Sequence, residues 1–315
     1  MKWNGTFINA VGSYLPQRFP IDTIDSNYPN ETKRAGYETI TKADMPQHVM
    51  AGIAASQAME KSSHCAETLS AIVLAMLTTS TEHAAPVCYV QRILGQSEAI
   101  AFELNATSDG GVTGIEVVAR ILSSDPRMDV GLVSSTLRYP DGMDRWLAGA
   151  LFGDGAAAAV ISKKSGFARL IVSQRTSNPE FEMLLRPRMK SPGVWDFSDL
   201  DLSFGPYVET ITQEVQAAIS ATLREANITI EDISHFCLPA LPLVSMQTIY
   251  LERNNIPIEK TCWSELRKNG HVGPCDQILG IAHLRETGQL ERGQLVLVAG
   301  GGIGFRMTCL LLQIE

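Results

Sequence analysis

Short β-rich apolar runs alternate along the chain with longer segments whose apolar residues recur every three or four positions. The runs at 7–15, 69–77, 99–104, 130–135, 156–162 and 166–174 predict strands, as do those at 235–241, 294–301 and 305–314. The amphipathic segments 45–61, 112–122, 206–226 and 273–288 predict helices. The last of these closes with Arg285 in its final turn and Gly288 just beyond it, a regular C-terminal signal. Regular strand–helix alternation predicts an α/β chain with helices covering a sheet.

The two halves of the pattern end alike, in a long helix, a strand, a glycine-rich turn and a final strand. LFGDGAAAAVIS (151–162) and LVAGGGIGFRMTCLLL (297–312) are the corresponding closing segments. This suggests an internal duplication with its boundary in the polar stretch 162–166, hence an N-terminal half over 1–163 and a C-terminal half over 164–315. The segment 177–204 has mixed charge, prolines and little periodicity, and reads as a long surface excursion or a lid.

With 45% hydrophobic and 19% charged residues the chain is globular in composition. Its net charge of −8 argues against a general nucleic-acid binder, whose affinity rests on basic patches. Six cysteines without a CxxC pair read as reduced thiols of a cytoplasmic protein. The opening MKWNGTFINAVGSYLP has no long apolar stretch, so no signal peptide is expected, and no run of about 18 apolar residues predicts a membrane span.

The chemistry-bearing motifs are few. There is no Walker loop, HExxH or EF-hand, and GGGIG near the C-terminus opens a strand rather than a helix, which argues against a dinucleotide site. No metal site is expected: His48, His64, His83, His235 and His283 are scattered without ligand spacing and read as structural. Ala106-Thr107-Ser108-Asp109-Gly110 is a near match to the GxSxG elbow, set between a strand and a helix. Ser108 is therefore either a nucleophile, favoured by the dipole and free N–H groups of a helix start, or simply that helix's N-cap. Asp109 reads as a first-turn carboxylate. Asp154 reads as the holder of its own GDGA turn, and Arg138, Arg145 and Trp146 as a solvated face. Arg186, Arg188 and Lys190 form a small basic run, an ordinary loop or a steering patch for an acidic carrier protein.

Five stretches in one order resemble β-ketoacyl-acyl-carrier-protein synthase III of the thiolase superfamily. They are AVGSYLPQ (10–17), TSTEHAAPVCYVQRILG (79–95), FELNATSDGG (102–111), MDRWLAGALFGDGAAAAVI (143–161) and ERGQLVLVAGGGIGF (291–305). The resemblance implies a thiolase-like fold of two duplicated βαβαβαββ halves in a layered α/β arrangement. It also implies a homodimer, or a heterodimer with a similar synthase, and an acyl donor that is an acyl-carrier-protein or coenzyme A thioester, with no bound cofactor. The catalytic positions depart from the family. Its cysteine falls on Ser108, its histidine on Pro239 or Ala240, and its asparagine on His271. The region between Pro16 and Met45, which helps hold coenzyme A in the family, is abbreviated, and this favours a carrier-protein donor.

Without the family histidine, decarboxylative condensation loses one of its two oxyanion donors. Acyl transfer needs less: Ser108 as nucleophile, His271 as base, and backbone N–H groups of Ser108 and Gly302 for the oxyanion. Asp276 either orients His271 or is a first-turn helix carboxylate. The sequence thus predicts an acyltransferase of specialised, polyketide-type metabolism working through acyl-Ser108. The alternatives are a catalytically silent subunit that pairs with an active synthase, and a serine hydrolase.

Overall fold

The computed structural model describes residues 1–24, 29–77, 84–96, 98–147, 149–182, 188–191, 194–196 and 205–315. Nine strands form the main sheet: β1 (Phe7–Tyr14), β2 (Leu69–Met76), β3 (Ile100–Leu104), β4 (Val130–Leu137), β5 (Gly155–Ser162), β6 (Ala168–Ser177), β7 (Ile233–Cys237), β8 (Leu295–Ala299) and β9 (Arg306–Ile314). The principal helices are α1 (Gln47–Glu60), α2 (Pro86–Ile93), α3 (Gly110–Ser124), α4 (Gly205–Ala226) and α5 (Asp276–Glu286). Every predicted strand and helix is present. The short α2, eight residues that open on Pro86 and bury Val87 and Val90, is additional to the predicted elements.

Strand order is β7-β8-β9-β6-β1-β5-β4-β2-β3. The two halves repeat one scheme about the central β1–β6 pair. β2–β4 and β7–β8 are parallel, whereas β4–β5, β5–β1, β8–β9 and β9–β6 are antiparallel. The N-terminal half is a full βαβαβαββ unit. Among the described residues the C-terminal half keeps only a trace of its third strand, a single parallel bridge between Thr261 and Phe236 where β3 runs beside β2.

The pair that joins the halves is short, with partners only at Phe7–Arg169 and Ile8–Ala168, so the two half-sheets diverge beyond it. Between them lie α3 and α5, whose Val112, Ile115, Val118, Ile278 and Ile281 share one core cluster with Val73 and Val133 of the N-terminal half-sheet and Val298 and Leu310 of the C-terminal one. Helix α1 covers the outer face of the N-terminal half-sheet and α4 that of the C-terminal half-sheet. Strands covered on both faces explain why β4 and β5 are buried at every position and read as unbroken apolar or small-residue runs. The layering is therefore helix, sheet, paired helices, sheet, helix. The paired central helices begin at the same end of the molecule, and the functional side chains gather at those N-termini.

Candidate active site

The chain leaves β3 at Leu104 and enters α3 through one tight turn, Thr107–Asp109. Thr107 has φ +50°, a left-handed conformation that a β-branched residue adopts only under strain of about 1–3 kcal/mol. Such a strained strand-to-helix elbow presents the next side chain at the end of the sheet. Ser108 is 8% exposed, and its hydroxyl caps nothing. Its Oγ lies 2.9 Å from His271 Nε2, which rules out the N-cap reading.

His271 comes from the loop before α5, and the FGDG turn holds that loop. The His271 N–H donates to Leu151 O at 2.7 Å, and the Gly153 N–H donates to His271 O at 3.1 Å. Asp154 does more than shape its own turn. Its carboxylate takes both terminal nitrogens of Arg145 at 2.9 Å and the N–H groups of Ala43 and Tyr139 at 2.8 Å. Arg145 is thus buried in an ion pair rather than spread on a solvated face. The final approach depends on Gly111, where a Cβ would lie 2.1 Å from Pro274 O. Only glycine at the start of α3 lets the 272–275 turn close on it and bring His271 over Ser108.

Behind the imidazole, His271 Nδ1 lies 2.6 Å from Asp276 Oδ2. The same oxygen accepts the Ala240 N–H at 2.7 Å, and Oδ1 accepts the Val272 N–H at 2.9 Å. A carboxylate accepts only, so Nδ1 carries the proton and Nε2 is left to accept from Ser108. Asp276 is at once a first-turn residue of α5 and the third member of a Ser–His–Asp chain. The loop where the resemblance places a histidine instead supplies a backbone donor: Ala240 holds the acid, and Pro239 lines the adjoining cavity.

That cavity has a volume of about 380 Å³ and opens beside Ser108 and His271. Its walls are mainly apolar, with Leu77, Phe152, Ile211, Leu241 and Phe305 among them. The expected oxyanion donor Gly302 needs correction. Its N–H donates to Arg306 O at 2.9 Å, and a Cβ there would come 2.4 Å from Thr107 Oγ1. Gly302 is a close-packing residue at a small antiparallel bridge. Gly301 and Gly302 both line the cavity, but among the described residues the Gly301 N–H donates to no backbone carbonyl; the same holds for the Ser108 N–H.

Asp109, next to Ser108, is fully buried. Its Oδ2 accepts from Thr113 Oγ1 at 2.6 Å and Thr308 Oγ1 at 2.8 Å, while Oδ1 has no partner among the described residues. Burial, only partly offset by these hydroxyls and by Arg306, pushes its carboxyl up from 3.8 to about 6. A raised acid binds its proton more tightly when folded, so this side chain costs nothing below pH 4 and progressively more as pH rises to 6. Two units correspond to about 3 kcal/mol. Asp109→Asn should therefore gain on the wild type in urea unfolding by up to about that amount between pH 4 and pH 7. A difference that does not change with pH would refute this.

The remaining sequence candidates lie elsewhere. His64 Nε2 meets Ser162 Oγ, His235 meets Gln289 O, and His48 packs against the Tyr89 ring. His83 and Arg186 lie outside the described residues, as do the side chains of Arg188 and Lys190 and most of the 177–204 excursion. Cys237, Cys262, Cys275 and Cys309 are buried thiols, and Cys65 and Cys88 are exposed. Among the described residues no group of three His, Cys, Asp or Glu side chains is placed to hold a metal ion, and no helix is long and apolar enough to cross a membrane.

A strained strand-to-helix elbow, a layered duplicated α/β fold and an apolar cavity at the helix starts define a thiolase-like protein. Residues 102–179 match the family 3-oxoacyl-[acyl-carrier-protein] synthase III, and residues 223–314 match that family's C-terminal region, together more than half of the chain. The chain belongs to the 3-oxoacyl-[acyl-carrier-protein] synthase III family. It is 25% identical to the β-ketoacyl-[acyl-carrier-protein] synthase III of Aquifex aeolicus strain VF5, over 98% of this chain and 99% of that one. Its fold superimposes on the acyltransferase ChlB3 with a TM-score of 0.88 at 25% identity, covering 99% and 98% of the two chains. The solved Aquifex aeolicus synthase III gives a TM-score of 0.83 at 22% identity, covering 98% and 100%.

Proposed function

We propose that this protein is an acyltransferase that moves an acyl group from a coenzyme A or carrier-protein thioester to an acceptor through an acyl-Ser108 intermediate, without decarboxylative condensation. The observation that carries this reading is the hydrogen-bonded chain Ser108 Oγ–His271–Asp276 at 2.9 and 2.6 Å beside an apolar cavity.

In the first step His271 Nε2 takes the Ser108 hydroxyl proton as Oγ bonds to the thioester carbonyl carbon. The oxyanion is met by the N–H groups of Ser108 and Gly301. The tetrahedral centre then collapses, the carbon–sulfur bond breaks, and the thiolate leaves with the proton from the imidazolium. In the second step His271 activates the incoming alcohol, amine or carrier thiol by the same route. Asp276 stabilises the imidazolium in both. Condensation is a different matter, because neither Pro239 nor the Ala240 side chain can hydrogen-bond a second carbonyl oxygen.

The named acyltransferase ChlB3 among the similar structures supports this class of reaction. A silent subunit would have no use for a buried acid that orients a histidine onto a serine. The expected dimer is supported by β3, which ends the sheet with an exposed Ile100. Intact-mass measurement after incubation with short acyl-thioester donors tests the reading. One acyl adduct, mapped to the peptide containing Ser108 and discharged faster by an added thiol or alcohol than by water, is expected. A protein that stays unmodified would show it to be a silent subunit, and discharge no faster than by water would show it to be a hydrolase.

A further inference from the structure

The cavity beside Ser108 is apolar on most sides, but one wall is not. After Pro242 the chain winds through a short helix into a π-helical turn, Met246–Leu251, and from this segment Ser245, Thr248 and Tyr250 line the cavity. Wide turns of this kind are rare overall and frequent at functional sites. None of the three hydroxyls has a hydrogen-bond partner among the described residues. Tyr250 is the most constrained of them. It is 3% exposed, it belongs to the buried core cluster of the C-terminal half, and its hydroxyl reaches the glycine loop. There a Cβ on Gly301 would lie 2.9 Å from Tyr250 Oη.

A cavity meant only for an unsubstituted hydrocarbon chain is served better by phenylalanine at that place. A hydroxyl in an apolar wall gives up much of its water without gaining a partner, and phenylalanine fills the same volume without that loss. Burial raises the Tyr250 hydroxyl's pKa well above its ordinary value, so it stays protonated and serves as a neutral donor. Its position beside Gly301 fixes what it can reach. With the Ser108 and Gly301 N–H groups read as donors to the acyl carbonyl oxygen, a hydroxyl beside Gly301 on the same cavity wall is within reach of an oxygen on the second carbon beyond that carbonyl.

We infer that the acyl group carried by Ser108 bears an oxygen on its β-carbon, as a hydroxyl or a ketone, and that Tyr250 Oη reads that oxygen. This rests on the acyl-Ser108 reading, and the test separates the two. Rates of Ser108 acylation are compared by mass for coenzyme A thioesters of hexanoate, 3-hydroxyhexanoate and 3-oxohexanoate. The wild-type protein should acylate at least about tenfold faster with one of the oxygenated donors. In Tyr250→Phe that ratio should fall toward one, while Thr248→Val should keep it. Equal rates for all three donors in the wild type would overturn the inference and leave acyl-Ser108 standing. A preference that survives in Tyr250→Phe would overturn the assignment to Tyr250. No acylation by any donor would take away both.

Discussion

Ser108→Ala lowers acyl transfer by a factor on the order of 10⁴–10⁶ and leaves no acyl adduct on the protein. The expectation follows from the geometry: Ser108 supplies the only hydroxyl within hydrogen-bond distance of His271 Nε2 among the described residues. What remains in the variant is the cavity and the two backbone N–H groups, which bind and polarise a thioester but form no bond to it. His271→Ala should lose about 10²–10⁴, because the hydroxyl keeps its place but has no proton acceptor. The double variant should be no worse than Ser108→Ala alone, since base and nucleophile act as one unit. Removing Oγ takes one hydrogen bond from His271 Nε2, so Ser108→Ala should stay within about 1 kcal/mol of wild type in urea unfolding. Transfer by Ser108→Ala within tenfold of the wild-type rate would end the nucleophile assignment.

The fold was legible because its strands are nearly all apolar and its helices periodic. β4 and β5 are buried at every position, and a run such as AAAAVIS admits few other readings. The duplication was legible too, since both halves end in a strand, a glycine turn and a strand. Its one lapse, the vestigial third strand at Thr261, falls where the sequence has no β-rich run to lose.

The site was legible in part, and the errors have physical causes. Ser108 and His271 stand 163 positions apart, and what unites them is the contact between Gly111 and Pro274, which no local pattern announces. In a run of three glycines the oxyanion donor cannot be told from its neighbours. The bridge between Gly302 and Arg306 separates them, because it uses the Gly302 N–H, whereas among the described residues the Gly301 N–H donates to no backbone carbonyl. Arg145 looked like a solvated charge because its partner, Asp154, lies beyond a hairpin and looked like a turn residue. Tyr250 gave no signal at all: in LVSMQTIYL it is one more large residue of a mostly apolar segment, and only the fold puts it on the cavity wall.

Asp276 shows most clearly what a sequence hides, and it carries the second large effect. An aspartate that opens a helix is the commonest of first-turn residues, and that role alone accounts for it. The fold adds three donors, from His271, Ala240 and Val272, around its two oxygens. In Asp276→Asn one oxygen becomes an NH₂ group, so whichever way the amide turns, at least one of those donors faces another donor. If the NH₂ faces His271, it donates to Nδ1, the imidazole proton moves to Nε2, and Ser108 loses its acceptor. If the oxygen faces His271, the tautomer survives, but the negative charge that stabilises the imidazolium in both transfer steps is gone. Either arrangement is expected to lower kcat for acyl transfer by about 10²–10⁴. KM should change little, because Asp276 is not among the residues that line the cavity. A merely structural carboxylate predicts the reverse: lower stability, with kcat per folded molecule unchanged. Urea unfolding together with active-site titration of the folded fraction distinguishes the two, and a folded Asp276→Asn protein that turns over at the wild-type rate would remove the acid from the mechanism.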